Sequence, residues 1–235
     1  MILIRPSAER GYADHGWLRA RHSFSFAEYY DPAEMGWGAL RVINEDRIAP
    51  GMGFGMHGHR NMEIVTYILS GALEHKDSLG NGGVIRRGEV QRMTAGKGIL
   101  HSEFNPSPDE ETHLLQIWIE PAQEGTRASY EQQPLALAEM QGRWRLVASP
   151  DGAEGSTTIG QDARLWASRL NAGEVLDYAL APGRLAFVQV VSGRLALNDV
   201  ALAAGDGAKI VEEPTLNFRA SEETEILLFD LPPHQ

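Results

Sequence analysis

The sequence contains no cysteine among its 235 residues. This absence excludes disulfide bonds, thiolate metal sites and cysteine nucleophiles. Any metal ion must therefore be held by histidine, carboxylate or water. The chain also lacks an apolar run of about 20 residues, the length that spans a bilayer, and its N-terminus lacks the apolar segment of a signal peptide. We therefore expect a cytoplasmic protein without a membrane partner.

Basic residues are also few. The chain carries 21 lysines and arginines against 32 acidic residues, a formal net charge of −11. The densest basic spot is the pair Arg86 and Arg87. This balance argues against a nucleic-acid backbone or an anionic membrane as the main partner. A hydrophobic content of 43% with 23% charged residues is typical of an ordinary globular protein.

Long amphipathic helical patterns are scarce, and short apolar runs separated by turn residues take their place. Turn signals recur about every 8–12 residues, a rhythm that predicts an all-β sandwich or barrel. The stretch 122–141 is polar, contains Pro134 and is expected to form short helical pieces linking two domains. The predicted strands are Leu40–Ile43, Ile64–Leu69, Leu114–Ile119, Trp144–Val147, Leu185–Val191 and Glu225–Leu231.

The chain also contains an internal repeat. Residues 67–73 resemble 188–195, with Gly71 and Gly193 as anchors, and Gly88 and Gly205 mark a second matching turn. Both copies have the pattern strand, Ser-Gly turn, strand, then a turn of glycine and acid. The repeat predicts two similar β-barrels, the first at 1–131 and the second at 132–235.

Four residues with metal-ligand chemistry occur as two pairs, His57 with His59 and His101 with Glu103. Residues two apart diverge on a helix but share one face of a strand. Two such strands facing each other across a barrel would supply three imidazoles and a carboxylate. Glu63 has the same parity as His59, so an unbroken strand would turn it to the same face. The alternative is a pair of surface histidines in a glycine-rich loop.

Such a donor set suits Fe(II), Mn, Ni, Cu or Zn without selecting among them. Four protein ligands leave open positions on an iron-like ion, as a catalytic metal requires. Aligning the two copies of the repeat sets an apolar residue of the second copy opposite each of the four: Ala179 opposite His57, Ala181 opposite His59, Phe218 opposite His101 and Ala220 opposite Glu103.

These motifs resemble those of cupins. Gly51, His57, His59 and Glu63 match the first cupin motif, although its closing glycine, Gly71, comes one residue late. In the second motif Gly98, His101 and Asn105 agree, while Gly88 is early and Gly96 replaces the usual proline. The flanking segments resemble the pirin family specifically, over Arg19–Phe26, Leu40–Asp46, Met62–Tyr67, Leu73–Asn81 and Met93–Glu103.

The resemblance implies a bicupin: two tandem cupin-type β-barrels (double-stranded β-helix, jelly roll) with a few short helices. The first, 1–131, would bind one divalent transition metal ion, with Fe(II) expected first and Cu, Mn, Ni, Co or Zn as alternatives. By the pirin pattern its ligands would be His57, His59, His101 and Glu103. General cupins use the carboxylate at Glu63 instead, which we place nearby. The second barrel, 132–235, would be degenerate and without ligands.

The activity implied by the resemblance is that of a quercetin 2,3-dioxygenase, acting as a monomer on a flavonol such as quercetin and O₂. Glu103 would take the proton of the flavonol 3-hydroxyl as the catalytic base, and O₂ would open the heterocycle with release of carbon monoxide. A non-enzymatic metal and redox sensor that modulates a protein partner is the alternative. A third possibility, a cupin isomerase, would require a polar pocket.

Other candidate residues receive simpler interpretations. His75 is expected to be solvated at a strand end, and His113 to be a hydrogen-bonded histidine of the barrel interior. Five aromatic residues are expected in the core: Trp17, Phe24, Phe26, Trp37 and Phe54. Of these, Phe54 is the candidate that could instead pack against a flat ligand beside His57.

Overall fold

The six predicted strands are all present in the structure, a computed structural model that describes residues 1–233. From the N-terminus the strands are β1 Ile2–Arg5, β2 Gly11–Asp14, β3 Leu18–His22, β4 Leu40–Ile48, β5 Gly53–His59, β6 Glu63–Ser70, β7 Ala72–Asp77, β8 Gly82–Arg86, β9 Glu89–Thr94, β10 Ile99–Phe104 and β11 Thr112–Ile119. They continue as β12 Ser129–Pro134, β13 Arg145–Ser149, β14 Thr157–Thr158, β15 Arg164–Leu170, β16 Val175–Ala179, β17 Leu185–Ser192, β18 Arg194–Leu197, β19 Val200–Ala203, β20 Gly207–Ile210, β21 Thr215–Ala220 and β22 Thr224–Leu231.

Helical structure in the described residues is limited to three short 3₁₀ helices, Ser7–Glu9, Leu137–Met140 and Ala153–Gly155. Over residues 1–233, no helix has the length and apolar character that crossing a membrane requires. The predicted helical link at 122–141 is only partly right. It contains the 3₁₀ turn Leu137–Met140, but most of its ordered structure is the strand β12.

Each half of the chain pairs a seven-stranded sheet with a four-stranded one. The first half has the orders β12-β9-β6-β11-β4-β3-β2 and β5-β10-β7-β8, and the second has β1-β20-β17-β22-β15-β13-β14 and β16-β21-β18-β19. The two sets correspond strand for strand along most of their length, as the internal repeat predicts. The all-β bicupin prediction is confirmed.

The exchange of terminal strands complicates the division of the chain. β1 joins the edge of the second-half sheet by pairing with β20, while β12 joins the first-half sheet by pairing with β9. The predicted boundary after residue 131 therefore falls inside β12. That boundary stays a prediction, and residues 2–5 hydrogen-bond to the opposite half.

The central strands β6, β11, β17 and β22 are mostly apolar because both of their faces are buried. On β22, Ile226 and Leu228 point into the second barrel, and Leu227 and Phe229 into a core shared by both halves. That shared core also includes Leu115 and other residues of the first seven-stranded sheet. The two large sheets therefore pack against each other, and each small sheet closes its barrel on the far side.

Candidate metal centre

Both predicted ligand pairs lie on neighbouring strands of the first small sheet. β5 carries His57 and His59, β10 carries His101 and Glu103, and the register sets His101 directly opposite His57. Alternation along β10 leaves Leu100 half exposed while the ligand candidates turn inward. The prediction of two strands facing each other across the barrel is wrong. The donors come from one wall, on adjacent antiparallel strands.

A β-bulge changes the pairing of the two strands that carry the predicted ligands. The register of β10 against β5 shifts by one residue between His101 and Glu103, so that Glu103 lies opposite Phe54. The extra residue bends the strand and re-aims its side chains, as bulges near functional sites do. At Gly53 the strands approach so closely that a Cβ atom would lie 2.2 Å from the carbonyl oxygen of Glu103. Glycine is required there by this contact.

The three imidazoles meet through their Nε2 atoms. His101 Nε2 lies 2.9 Å from His59 Nε2 and 3.0 Å from His57 Nε2. Two ligands at right angles about an ion with bonds of about 2.1 Å would lie about 3.0 Å apart. His57 Nδ1–H donates to the carbonyl of Gly55 at 2.7 Å, which leaves the Nε2 lone pair free for a metal.

Burial keeps the inner imidazoles neutral. It lowers the pKa of His59 to about 4, with a further contribution from His57. It lowers the pKa of His101 to about 3, and the neighbouring His57 and His59 add to the effect. Neutral imidazole is the form that coordinates a metal. The convergence of the three Nε2 atoms therefore suits a divalent transition ion.

Glu103, the fourth predicted ligand, is buried on β10. Gln116 Nε2 on β11 donates to both of its carboxylate oxygens, at 3.1 and 3.0 Å. Burial raises the pKa of Glu103, and the Gln116 hydrogen bonds oppose that rise. Donor atoms form two compact groups within 4.8 Å, one of His57, His59 and His101 and the other of His75, His101 and Glu103. His101 belongs to both groups.

His75 is buried rather than solvated, so its predicted position at an exposed strand end is wrong. Its Nε2–H donates to Asp77 at 3.0 Å, and its Nδ1 accepts from Gln91 Nε2 at 2.9 Å. The ring stacks on Tyr130 and lies 5.4 Å from that of His101. Since both ring nitrogens have partners, His75 supports the wall behind His101 and has no free lone pair for an ion.

Glu63 does not share the ligand face. The strand β5 ends at His59, the chain turns through Asn61 with φ +49°, and Glu63 starts β6 in the other sheet. Its carboxylate accepts from Thr94 Oγ1 at 2.6 Å and from the backbone N–H of Gly160. Equal parity does not set His59 and Glu63 on one face, because the strand is broken between them. Glu63 instead links the first half to the second.

A cavity of about 450 Å³ opens in front of His57, His59 and Glu103. Its walls are largely aromatic, with Trp17, Phe26, Phe54 and Trp118 all present. Phe54 was predicted there, whereas Trp17 and Phe26 were predicted in the core and line the cavity instead. Phe26 and Phe54 also line a second cavity of about 660 Å³, which adjoins the first. His113, as predicted, is hydrogen-bonded, to Glu45 at 2.9 Å.

Two polar residues on the cavity floor were missed by the sequence reasoning. Asn44 and Asp46 on β4 are both buried and line the cavity. Burial raises the pKa of Asp46 to about 7, with the charges of Glu103 and Glu45 adding to the effect. Their parity along the strand matches that of Ile48, which lies in the core of the first barrel, and is opposite to that of Ile43, which lies in the shared core. Asn44 and Asp46 could have been found in the sequence as two polar side chains at positions that face the core.

Up to residue 233, the second barrel contains no equivalent group of metal-ligand side chains. The pairing of β21 with β16 sets Phe218 opposite Leu176 and Leu216 opposite Tyr178. The structural equivalents of His57 and His59 are therefore Leu176 and Tyr178. The predicted Ala179 and Ala181 are wrong because β17 starts seven residues after Tyr178, whereas β6 starts four residues after His59. The four equivalents lie in or against the second barrel's own hydrophobic core.

Comparison with known proteins agrees with this architecture. A family model described as Pirin matches residues 4–119, and one described as quercetinase C-terminal cupin domain matches 146–231. The chain is 47% identical over 233 residues to a quercetin 2,3-dioxygenase of Escherichia coli (strain K12), covering 99% of this chain and 100% of that protein. It is 45% identical over 232 residues to a pirin-like protein of Caulobacter vibrioides, covering 98% and 99%. The crystal structure of the bacterial pirin YhhW in complex with nickel(II), from Escherichia coli, matches with a TM-score of 0.95 at 47% identity, covering 99% and 100%.

Proposed function

The chain belongs to the pirin family, and we propose that it is a metal-dependent quercetin 2,3-dioxygenase. The observation that carries this proposal is the position of the donor set. The Nε2 atoms of His57, His59 and His101 converge beside an aromatic cavity, and the carboxylate of Glu103 lies close to His101, the residue common to both donor groups. A volume of about 450 Å³ is within the range that takes a flat, drug-sized molecule.

The proposed ligands are His57, His59, His101 and Glu103, and the proposed ion is Fe(II). The relative of known structure was crystallised with nickel(II), and imidazole with carboxylate accepts either ion. A bound ion would act as a Lewis acid toward the flavonol 3-oxygen and as a route for electrons to dioxygen.

Glu103 is the proposed base for the proton of the flavonol 3-hydroxyl. It is the carboxylate in the donor set, and it lines the cavity. The Gln116 amide donates to both oxygens of Glu103. These hydrogen bonds fix the orientation in which the carboxylate can accept a proton. The surrounding aromatic walls exclude water from that proton transfer. The heterocycle would then open with dioxygen and release carbon monoxide.

The test is turnover of quercetin by protein loaded separately with Fe(II), Ni(II), Mn(II), Co(II), Cu(II) or Zn(II). We expect loss of quercetin and of dissolved oxygen with release of carbon monoxide, fastest with Fe(II), and no turnover in His101→Ala. His15→Ala, which replaces an exposed histidine outside the proposed ligand set, is the comparison variant and should keep its metal.

Equal turnover by His101→Ala would refute the proposed site. No turnover with any of the six ions would refute the dioxygenase and favour a metal-dependent sensor acting on a protein partner. The cytoplasmic location and the monomeric state stay predictions. Gel filtration coupled to light scattering tests the latter.

A further inference from the structure

The floor of the metal-site cavity carries a buried carboxyl group that no residue in the described part of the chain pairs with. Asp46 is 4% exposed and lines the cavity. Within residues 1–233 its carboxyl group has no hydrogen-bond or ion-pair partner. Leaving a carboxyl group unpaired in an apolar site costs folding free energy. Such a group indicates a role that the folded chain alone does not satisfy.

The surroundings of Asp46 explain why no side chain can reach it. On one side β3 sets Ala20 opposite Asp46, and on the other β11 sets Leu114 there. Neither side chain has a donor, and the alanine is too short to cover the carboxyl group. Ala20 lines both adjoining cavities. The space in front of the carboxyl group is therefore the place where a ligand would lie.

Asn44, two residues earlier on the same face of β4, offers the complementary group. Its Oδ1 accepts from His22 Nδ1–H at 2.8 Å, which leaves its Nδ2 amide as a donor. That amide has no partner in the described part of the chain. Residues two apart on a strand are about 7 Å apart along it and present their side chains in parallel. The floor thus offers one acceptor and one donor side by side.

From this pair we infer that Asn44 and Asp46 recognise phenolic hydroxyl groups on the part of the substrate that does not react. A phenolic O–H can donate to Asp46 while a neighbouring oxygen accepts from Asn44 Nδ2. An ammonium group could satisfy Asp46 but would leave Asn44 unpaired. The aromatic walls suit the flat ring that carries such hydroxyls. This inference rests on the proposed function and names the substrate feature that the site selects.

The experiment compares two probes bound to metal-loaded protein under anaerobic conditions, so that turnover does not interfere. Quercetin carries hydroxyls on all of its rings, and 3-hydroxyflavone carries only the one that reacts. We expect the wild type to bind quercetin at least about tenfold more tightly, as expected for one or two hydrogen bonds to buried polar groups. Asp46→Leu should reduce that ratio to near one, and Asp46→Asn, which keeps an acceptor oxygen, should lose only part of it.

Two further measurements separate recognition from support of the fold. Asp46→Leu should keep one metal ion per chain and raise the Tm, since it removes an unpaired buried carboxyl group. The matched control is Asp14→Asn, at the exposed rim of the adjoining cavity, which should leave the binding ratio unchanged.

A wild type that prefers quercetin, together with an Asp46→Leu protein that keeps the same preference, would overturn the inference and leave the proposed function standing. A lowered Tm in Asp46→Leu would also overturn it, because Asp46 would then be supporting the fold. If the wild type binds neither probe, the proposed function itself fails and the inference with it.

Discussion

At the scale of single residues, the candidate site depends on side chains that hold the ligands in place. Gln116 is the clearest case, since its amide donates to both oxygens of Glu103. Residues that orient metal ligands typically change metal affinity by about 10–100-fold when they are replaced. Glu103 is only 2% exposed. If its carboxylate pointed in another direction, few groups would be there to stabilise its charge.

We therefore expect Gln116→Leu to weaken metal binding by about tenfold or more while the protein stays folded. The measurement is competition against a chelator of known affinity at neutral pH. Gln133→Leu is the matched control, because Gln133 bonds only to Glu131 on β12. Equal affinities in all three proteins would show that Gln116 does not position Glu103.

Some features of single residues were predictable and others were not. The spacing of His57 with His59 and of His101 with Glu103 is visible in the sequence because strand alternation follows a fixed period. The burial of His75 is not, since it depends on Asp77, Gln91 and the stacked ring of Tyr130. Only the fold brings these partners to the same place.

At the scale of elements, the contact between β5 and β10 positions every proposed ligand. Gly53 permits it, because a Cβ atom there would lie 2.2 Å from the carbonyl oxygen of Glu103 and 2.5 Å from Cα of Phe104. Backbone atoms cannot move aside as the end of a flexible side chain can. Gly55, in the same strand, has open space around its Cβ position.

Gly53→Ala should therefore force the two strands apart and reduce the bound metal, with Gly55→Ala as its control. We expect less than half of the wild-type metal-to-protein ratio in the first variant and a normal ratio in the second. The check is elemental analysis after loading with one equivalent of metal. Normal loading of Gly53→Ala would show that the bulge does not position the donors.

Breaks between strands explain two of the wrong predictions, the position of Glu63 and the second-half equivalents of His57 and His59. Glu63 has the right parity relative to His59, yet the break at Asn61 moves it to another sheet. In the second half, three more residues separate the equivalent of His59 from the next strand, which shifts the equivalents of His57 and His59 to Leu176 and Tyr178. Alternation and ungapped alignment both assume continuity of the chain, and loops interrupt it. The alternation of residues within a strand is easier to recognise in the sequence than the lengths of the loops between strands.

At the scale of the whole molecule, a buried ion pair joins the two halves. Glu225 on β22 accepts from Arg87, at 2.8 Å for the longer of two contacts, and from the hydroxyl of Tyr67 at 2.5 Å. Burial, with the charge of Glu225 adding to it, raises the pKa of Tyr67 well above its usual value, so the phenol stays protonated. Arg87 and Tyr67 belong to the first half and Glu225 to the second, where Arg169 Nε also lies 3.6 Å from its carboxylate.

Glu225→Ala should lower the free energy of unfolding by about 3 kcal/mol, because it leaves a half-buried arginine and a buried phenol without their acceptor. Glu223→Ala removes an exposed partner of Arg169 and should cost about 0–1 kcal/mol. Urea titration of both variants measures the difference. Similar values for the two would show that the buried ion pair does not stabilise the association of the halves.

The bicupin architecture could be predicted from the sequence because the repeat and the turn rhythm extend over the whole chain. The exchange of β1 and β12 between halves could not, since edge pairing leaves little trace in a short strand. The polar floor at Asn44 and Asp46 lies within a segment already noted for its pirin resemblance. Its role becomes visible only when β3 and β11 are known to offer Asp46 no donor.

The most direct test of the whole account is the metal content of four proteins purified and loaded in parallel: wild type, His101→Ala, Glu103→Gln and Glu63→Gln. If His57, His59, His101 and Glu103 hold the ion, the wild type and Glu63→Gln should each bind one ion per chain. His101→Ala and Glu103→Gln should lose most of it. A greater loss in Glu63→Gln than in Glu103→Gln would contradict the proposed ligand set.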